Sequence, residues 1–153
     1  HLSGMRVGEV AALRVTDVLD AEGKVRAEIR LQAHQTKGSA GRTVFVNERL
    51  QKELGLYARA LQTHTADSPF FMTQKRTGFS ANSLTQHFAG LYKRAGLEGA
   101  TSHSGRRTFI TNLAAQGVSV RVLAALAGHR SIQTTQRYID VNDNMLRNAV
   151  ELV

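Results

Sequence analysis

The chain has 153 residues, 42% of them apolar, enough for one domain with a core of its own. It has no cysteine, which excludes disulfides, cysteine-rich zinc sites and a thiol nucleophile, and no apolar run approaches the ~20 residues that span a bilayer. Twenty basic residues against twelve acidic ones give a net charge of +8, so the expected partner is a polyanion, most simply nucleic acid.

No signal peptide is visible and a cytoplasmic location is expected. The chain opens at His1, and Leu2 onward already reads like the interior of a domain, so a natural N-terminal part is expected to be missing. Residues 5–13 mix Met5, Val7, Val10 and Leu13 with Arg6 and Glu9 at helical spacing, which predicts a short helix. Val25, Ala27, Ile29, Leu31 and Ala33 alternate with polar residues, the period of a half-buried strand. The glycine-rich stretch 35–41, with Lys37, Gly38 and Ser39, predicts a hairpin turn, and 42–46 the returning strand. A helix starts at Asn47 or Glu48 and runs to about Gln62. A polar loop follows over 63–69, marked by the single proline, Pro69, and 70–72 reads as a short extended piece.

Five further helices follow in the second half. Ser80 caps one through Ala95 with Gly96 as its stop, and Ser104 caps one through Gln116, ended by Gly117. Ser119 caps 120–127, ended by Gly128, and Ser131 caps a helix carrying Thr134, Thr135 and Tyr138. A last helix covers about 144–152. The expected fold is mainly α with a small antiparallel β-sheet (α+β) in a single domain.

Six residues stand out together: Arg6, Lys37, His103, Arg106, His129 and Tyr138. Arg6 and Glu9 share a helix face, which fits an ordinary surface ion pair or a phosphate-binding arginine steadied by its carboxylate. Lys37 at a hairpin tip is either a solvated lysine or a mobile proton donor. His103 and Arg106, three apart at a helix start, form either a solvated basic turn or an anion cradle beside free N–H groups. His129 after Gly128 fits a polar turn residue, and Tyr138 a rim residue, when each is taken alone.

Order and spacing change the reading. The segment from Gly4 through Arg6, Gly8 and Glu9 to Leu13 resembles the first conserved box of the tyrosine recombinases, the phage-integrase family. His103-x-x-Arg106 with Thr108, Phe109, Ile110 and Thr111 resembles the second. Leu126-Ala127-Gly128-His129, then Ser131, Ile132, Thr134, Thr135 and Tyr138, resembles the third, and the three boxes span residues 4–138. The chain departs from the family pattern at Gly105 and Arg107, where leucine and histidine are common, and the family's usual N-terminal DNA-clamping domain is expected to be missing from it.

The resemblance implies a catalytic domain that cuts and rejoins double-stranded DNA. Arg6, Arg106 and His129 would bind the nonbridging oxygens, Glu9 would support Arg6, and Tyr138 would attack phosphorus. His103 would take the phenol proton and Lys37 would protonate the departing 5′ oxygen. A 3′-phosphotyrosyl ester would conserve the bond energy without ATP. No metal or cofactor is expected: the six histidines are scattered and the twelve acids lie apart. The family works as a tetramer on DNA, with the apolar tail over 141–153 docking on a neighbour; the isolated fragment is expected to be a monomer or weakly associated. Two alternatives stand beside this reading. One is a helix-turn-helix regulator using Arg130, Gln133, Thr134, Gln136 and Arg137 to read bases; the other is a type IB topoisomerase.

Overall fold

The computed structural model describes residues 2–38, 40–61 and 65–152. Ser39 in the expected turn, Gln62 at the expected helix end, Thr63 in the polar loop and Val153 in the tail lie outside the described residues. In chain order the elements are α1 (Val7–Ala11), α2 (Val15–Val18), β1 (Glu28–Leu31), a 3₁₀ turn (Ala33–Gln35), β2 (Arg42–Phe45), α3 (Glu48–Ala60), α4 (Ala81–Arg94), α5 (Ser104–Ala115), α6 (Val120–Ala127), α7 (Ile132–Gln136) and α8 (Asp143–Val150). Among the described residues the fold is mainly α with one two-stranded antiparallel sheet, as expected.

The sheet is shorter than the alternating pattern suggested. Ile29 pairs with Val44 and Leu31 with Arg42, and Ile29, Leu31 and Val44 are buried on one face. The pairing stops at Leu31 because Gln35 folds back over the strand end. Its Oε1 accepts the Gln32 N–H at 2.8 Å, while its Nε2 donates to the Ala12 carbonyl at 3.1 Å and to Asp17 Oδ2 at 2.8 Å. That buried amide makes a turn more favourable than two more strand residues. Asp17 lies on α2, a single turn whose four residues are too few to carry a periodic signal.

The helix ends follow local chemistry. Asn47 caps α3 by accepting the Leu50 N–H at 2.9 Å, and Ser80 caps α4 through Ser83 at 3.1 Å. Helix α5 differs from expectation, because its N-cap is His103 and Ser104 is its first residue. The Ser104 hydroxyl reaches backwards to accept the Thr101 N–H at 2.8 Å, while the Ser104 N–H donates to the Thr101 carbonyl at 2.9 Å. A closed turn therefore precedes the helix. Gly128 ends α6 at φ 64°, the left-handed conformation that glycine adopts without strain.

Two apolar cores result among the described residues. The first joins Leu13, Val15 and Val18 to the sheet residues Ile29, Leu31, Val44 and Val46 and to Phe70. The second is built from Ile110 and Ala114 of α5 with Leu123 and Ala127 of α6. Fully buried side chains such as Phe70, Ile29, Ile110 and Leu123 each contribute about 1.5–3 kcal/mol. Between the two cores runs a polar seam, and the candidate site lies in it. Among the described residues, no helix is long and apolar enough to cross a membrane.

Candidate active site

The seam is organised by the C-terminal end of α6. The last carbonyls of a helix lack intrahelical partners and carry the negative end of its dipole, so cations are favoured there. Three arginines from three parts of the chain take three successive carbonyls. Arg42 Nη1 donates to Leu126 O at 2.9 Å, Arg106 Nη2 to Ala127 O at 2.5 Å, and Arg6 Nη2 to Gly128 O at 3.1 Å. Arg106 Nη1 also donates to the Gly4 carbonyl at 2.6 Å. The first box, the hairpin and α5 are thereby fastened to the helix end that precedes His129.

Glu9 is the counter-charge. It is only 1% exposed, so the ordinary surface ion pair with Arg6 is excluded. Its Oε2 accepts the Arg6 backbone N–H at 2.8 Å and Arg42 Nη2 at 2.7 Å; its Oε1 accepts Arg6 Nη1 at 3.0 Å and Arg42 Nε at 3.2 Å. Burial by itself pushes this carboxyl up. The Arg42 hydrogen bonds, the Arg6 N–H, the Arg42 charge and the Arg6 side-chain hydrogen bond outweigh burial and hold it below its ordinary value. Three guanidinium groups against one carboxylate leave the seam strongly cationic.

That field reaches the neighbours. Arg106 is 6% exposed; burial first, then the charge of Arg6, lowers its pKa to about 10, so it stays charged at neutral pH. His129 is pushed down to about 4 by burial and by the cations of Arg106, Arg6 and Arg42, so its ring is neutral. Its Nδ1 lies 2.8 Å from Thr135 Oγ1, and its ring stacks on Tyr138 with centroids 6.0 Å apart and planes at 13°. Tyr138 lies just beyond α7, half-buried against the second core, with its N–H on the Thr135 carbonyl at 3.0 Å.

Arg6, Glu9, Arg106, His129 and Tyr138 are thus gathered within one electrostatic neighbourhood. Lys37 is exposed on the hairpin turn. The next residue's carbonyl, Gly38 O, accepts a hydrogen bond from the guanidinium of Arg130, which ties the turn beside His129. His103 is exposed one turn ahead of Arg106, and its ring makes no hydrogen bond among the described residues. Sequence reasoning missed Arg42. A signal was present: Arg42, Val44 and Val46 share one face of a strand, so an arginine stood on the apolar side and required a buried partner. Among the described residues, no cluster of His, Asp and Glu has the makings of a metal site.

A profile of the phage integrase family matches residues 1–145, and the chain belongs to that family. It is 29% identical over 153 residues to the tyrosine recombinase XerA of Pyrococcus furiosus, covering 97% of this chain and 50% of that protein. It superposes on a crystal structure of XerA recombinase with a TM-score of 0.79 at 30% identity, covering 99% of this chain and 54% of that one. A XerH site-specific recombinase, solved bound to a palindromic difH substrate in a post-cleavage complex, gives 0.67 at 25% identity over 97% of this chain and 42% of that one. The chain spans about half the length of the relatives it matches.

Proposed function

We propose that this chain is the catalytic domain of a site-specific recombinase that cleaves and rejoins double-stranded DNA through Tyr138. The observation that carries this reading is the convergence of Arg6, Arg106, His129 and Tyr138 at the end of α6, in a seam with excess positive charge. A phosphodiester repels nucleophiles, and its transition state gathers negative charge on the nonbridging oxygens. Fixed donors aimed at that charge each supply roughly 2.7–4 kcal/mol. Arg6 and Arg106 are held by backbone carbonyls, so little reorganisation is needed when DNA arrives.

In the proposed reaction Tyr138 Oη attacks phosphorus and the bond from phosphorus to the 5′ oxygen breaks. The phenol proton passes to His103, and Lys37 gives a proton to the departing oxygen. The phosphotyrosyl ester keeps the bond energy for rejoining, when a 5′ hydroxyl displaces Tyr138. The DNA-bound XerH relative supports duplex DNA as the partner. Tetrameric assembly on DNA is part of the proposal, supported by the apolar residues left exposed in and around α8: Val141, Leu146, Val150 and Leu152. A base-reading regulator has no use for a buried Glu9 gripped by two arginines, and no observation favours a topoisomerase over a recombinase.

The test is a randomised pool of nicked duplexes, in which the short fragment beyond the cut diffuses away and traps the intermediate. The chain is expected to yield a protein–DNA adduct that survives denaturing electrophoresis, and Tyr138→Phe to yield none. An adduct undiminished in Tyr138→Phe would overturn the reading.

A further inference from the structure

Strand cleavage, as described, gives no task to the buried hydroxyl of Thr135. Thr135 in α7 is 0% exposed, and a hydroxyl taken out of water must keep a hydrogen bond. Among the described residues, that bond is the 2.8 Å contact between Thr135 Oγ1 and His129 Nδ1. The Thr135 backbone carbonyl also accepts the Tyr138 N–H at 3.0 Å. One residue therefore fastens both halves of the stacked His129–Tyr138 pair.

The direction of the hydroxyl bond follows from counting protons. A threonine hydroxyl has one proton to give, and a neutral imidazole has one N–H and one bare nitrogen. The His129 ring is neutral, since burial and the surrounding arginines pull its pKa to about 4. If Nδ1 held the proton and donated to Oγ1, the hydroxyl proton of Thr135 would be sealed in the interior with no acceptor among the described residues. If the hydroxyl donates to a bare Nδ1, both groups are satisfied and the ring proton sits on Nε2.

We infer that Thr135 is a positioning residue that fixes His129 as the Nε2–H tautomer, so that the ring meets a scissile phosphate as a hydrogen-bond donor. The role toward phosphate rests on the strand-cleavage reading; the tautomer does not. A ring committed in this way cannot serve as the base for the tyrosine stacked on it. The Tyr138 proton must then leave by another route, which the proposed reaction gives to His103.

The tautomer is read directly by ¹⁵N NMR of the imidazole nitrogens in the DNA-free chain, with the His129 signals assigned by their loss in His129→Gln. The wild type is expected to show a protonated Nε2 and a bare Nδ1. Thr135→Val keeps the shape, deletes the hydroxyl and is expected to give a tautomer mixture; Thr135→Ser is expected to retain the wild-type form. With the randomised pool of nicked duplexes, Thr135→Val should form adduct about tenfold more slowly with DNA retention unchanged, and Thr135→Ser should stay close to the wild type. A wild-type proton on Nδ1, or a Thr135→Val variant with tautomer and adduct rate unchanged, would overturn the inference. A wild type that holds the Nε2–H form and yet forms no adduct would sink strand cleavage and leave the tautomer assignment standing.

Discussion

Replacing Arg42 by methionine tests how the seam is held together. The side chain is 11% exposed and makes two hydrogen bonds to Glu9, at 2.7 and 3.2 Å, and one to the Leu126 carbonyl at 2.9 Å. Methionine fills much of the same volume and makes none of them. Glu9, 1% exposed, would keep Arg6 alone, and one terminal carbonyl of α6 would lose its donor. Breaking a buried pair from one side costs about 3–5 kcal/mol, because the remaining charge stays out of water. For a chain of this size that lowers Tm by roughly 6–20 °C. Adding Glu9→Gln removes the stranded charge, so the double variant should lose less than the sum of the singles, by roughly 0.5–3 kcal/mol. Thermal unfolding followed by circular dichroism measures all three. A Tm of Arg42→Met within about 2 °C of wild type, less than one kilocalorie, would show that the seam is not held by Arg42.

Other outcomes follow from the same geometry. Gly128→Ala places a Cβ 2.5 Å from Arg42 Cδ at a φ of +64°; it should destabilise by about 1–3 kcal/mol, read as a lower urea midpoint. Arg6→Lys keeps the charge and loses the fork that spans Glu9 and the Gly128 carbonyl; adduct formation should fall about tenfold or more while DNA retention on a filter changes little. Acid should weaken the fold in two stages. His129 titrates at about 4 when folded and near 6.5 when unfolded, so the unfolded chain binds the extra proton and stability drops as pH falls from 6.5 toward 4. Glu9, held below its ordinary 4.5, adds a further loss below that value. His129→Gln should flatten the first stage in a pH series of urea midpoints and leave the second.

Much of this was legible in the sequence because it depends on local chemistry. The alternation through Ile29 and Leu31 named the buried face of β1, and Asn47, Ser80 and Gly128 marked helix ends through their own side chains or lack of one. What escaped depends on contacts between distant segments. Arg42 looked like one polar residue at a strand start, and its importance arises from Glu9, thirty-three residues earlier, and from the end of α6. The stop of β1 at Leu31 needed Gln35 to find Ala12 and Asp17. Thr135 stood within a recognised motif, yet only its burial against His129 gives its hydroxyl a task. Tyr138, expected on a helix, falls just past α7, whose last helical residue is Gln136.

The most direct measurement is the identity of the residue that carries the nucleotide. The chain has three tyrosines; Tyr57 packs against Phe70 and Phe71, and Tyr92 stacks on Phe88. Mass spectrometry of the digested protein–DNA adduct should find the nucleotide remnant on the peptide containing Tyr138. A remnant on Tyr57, on Tyr92 or on any serine would contradict the account.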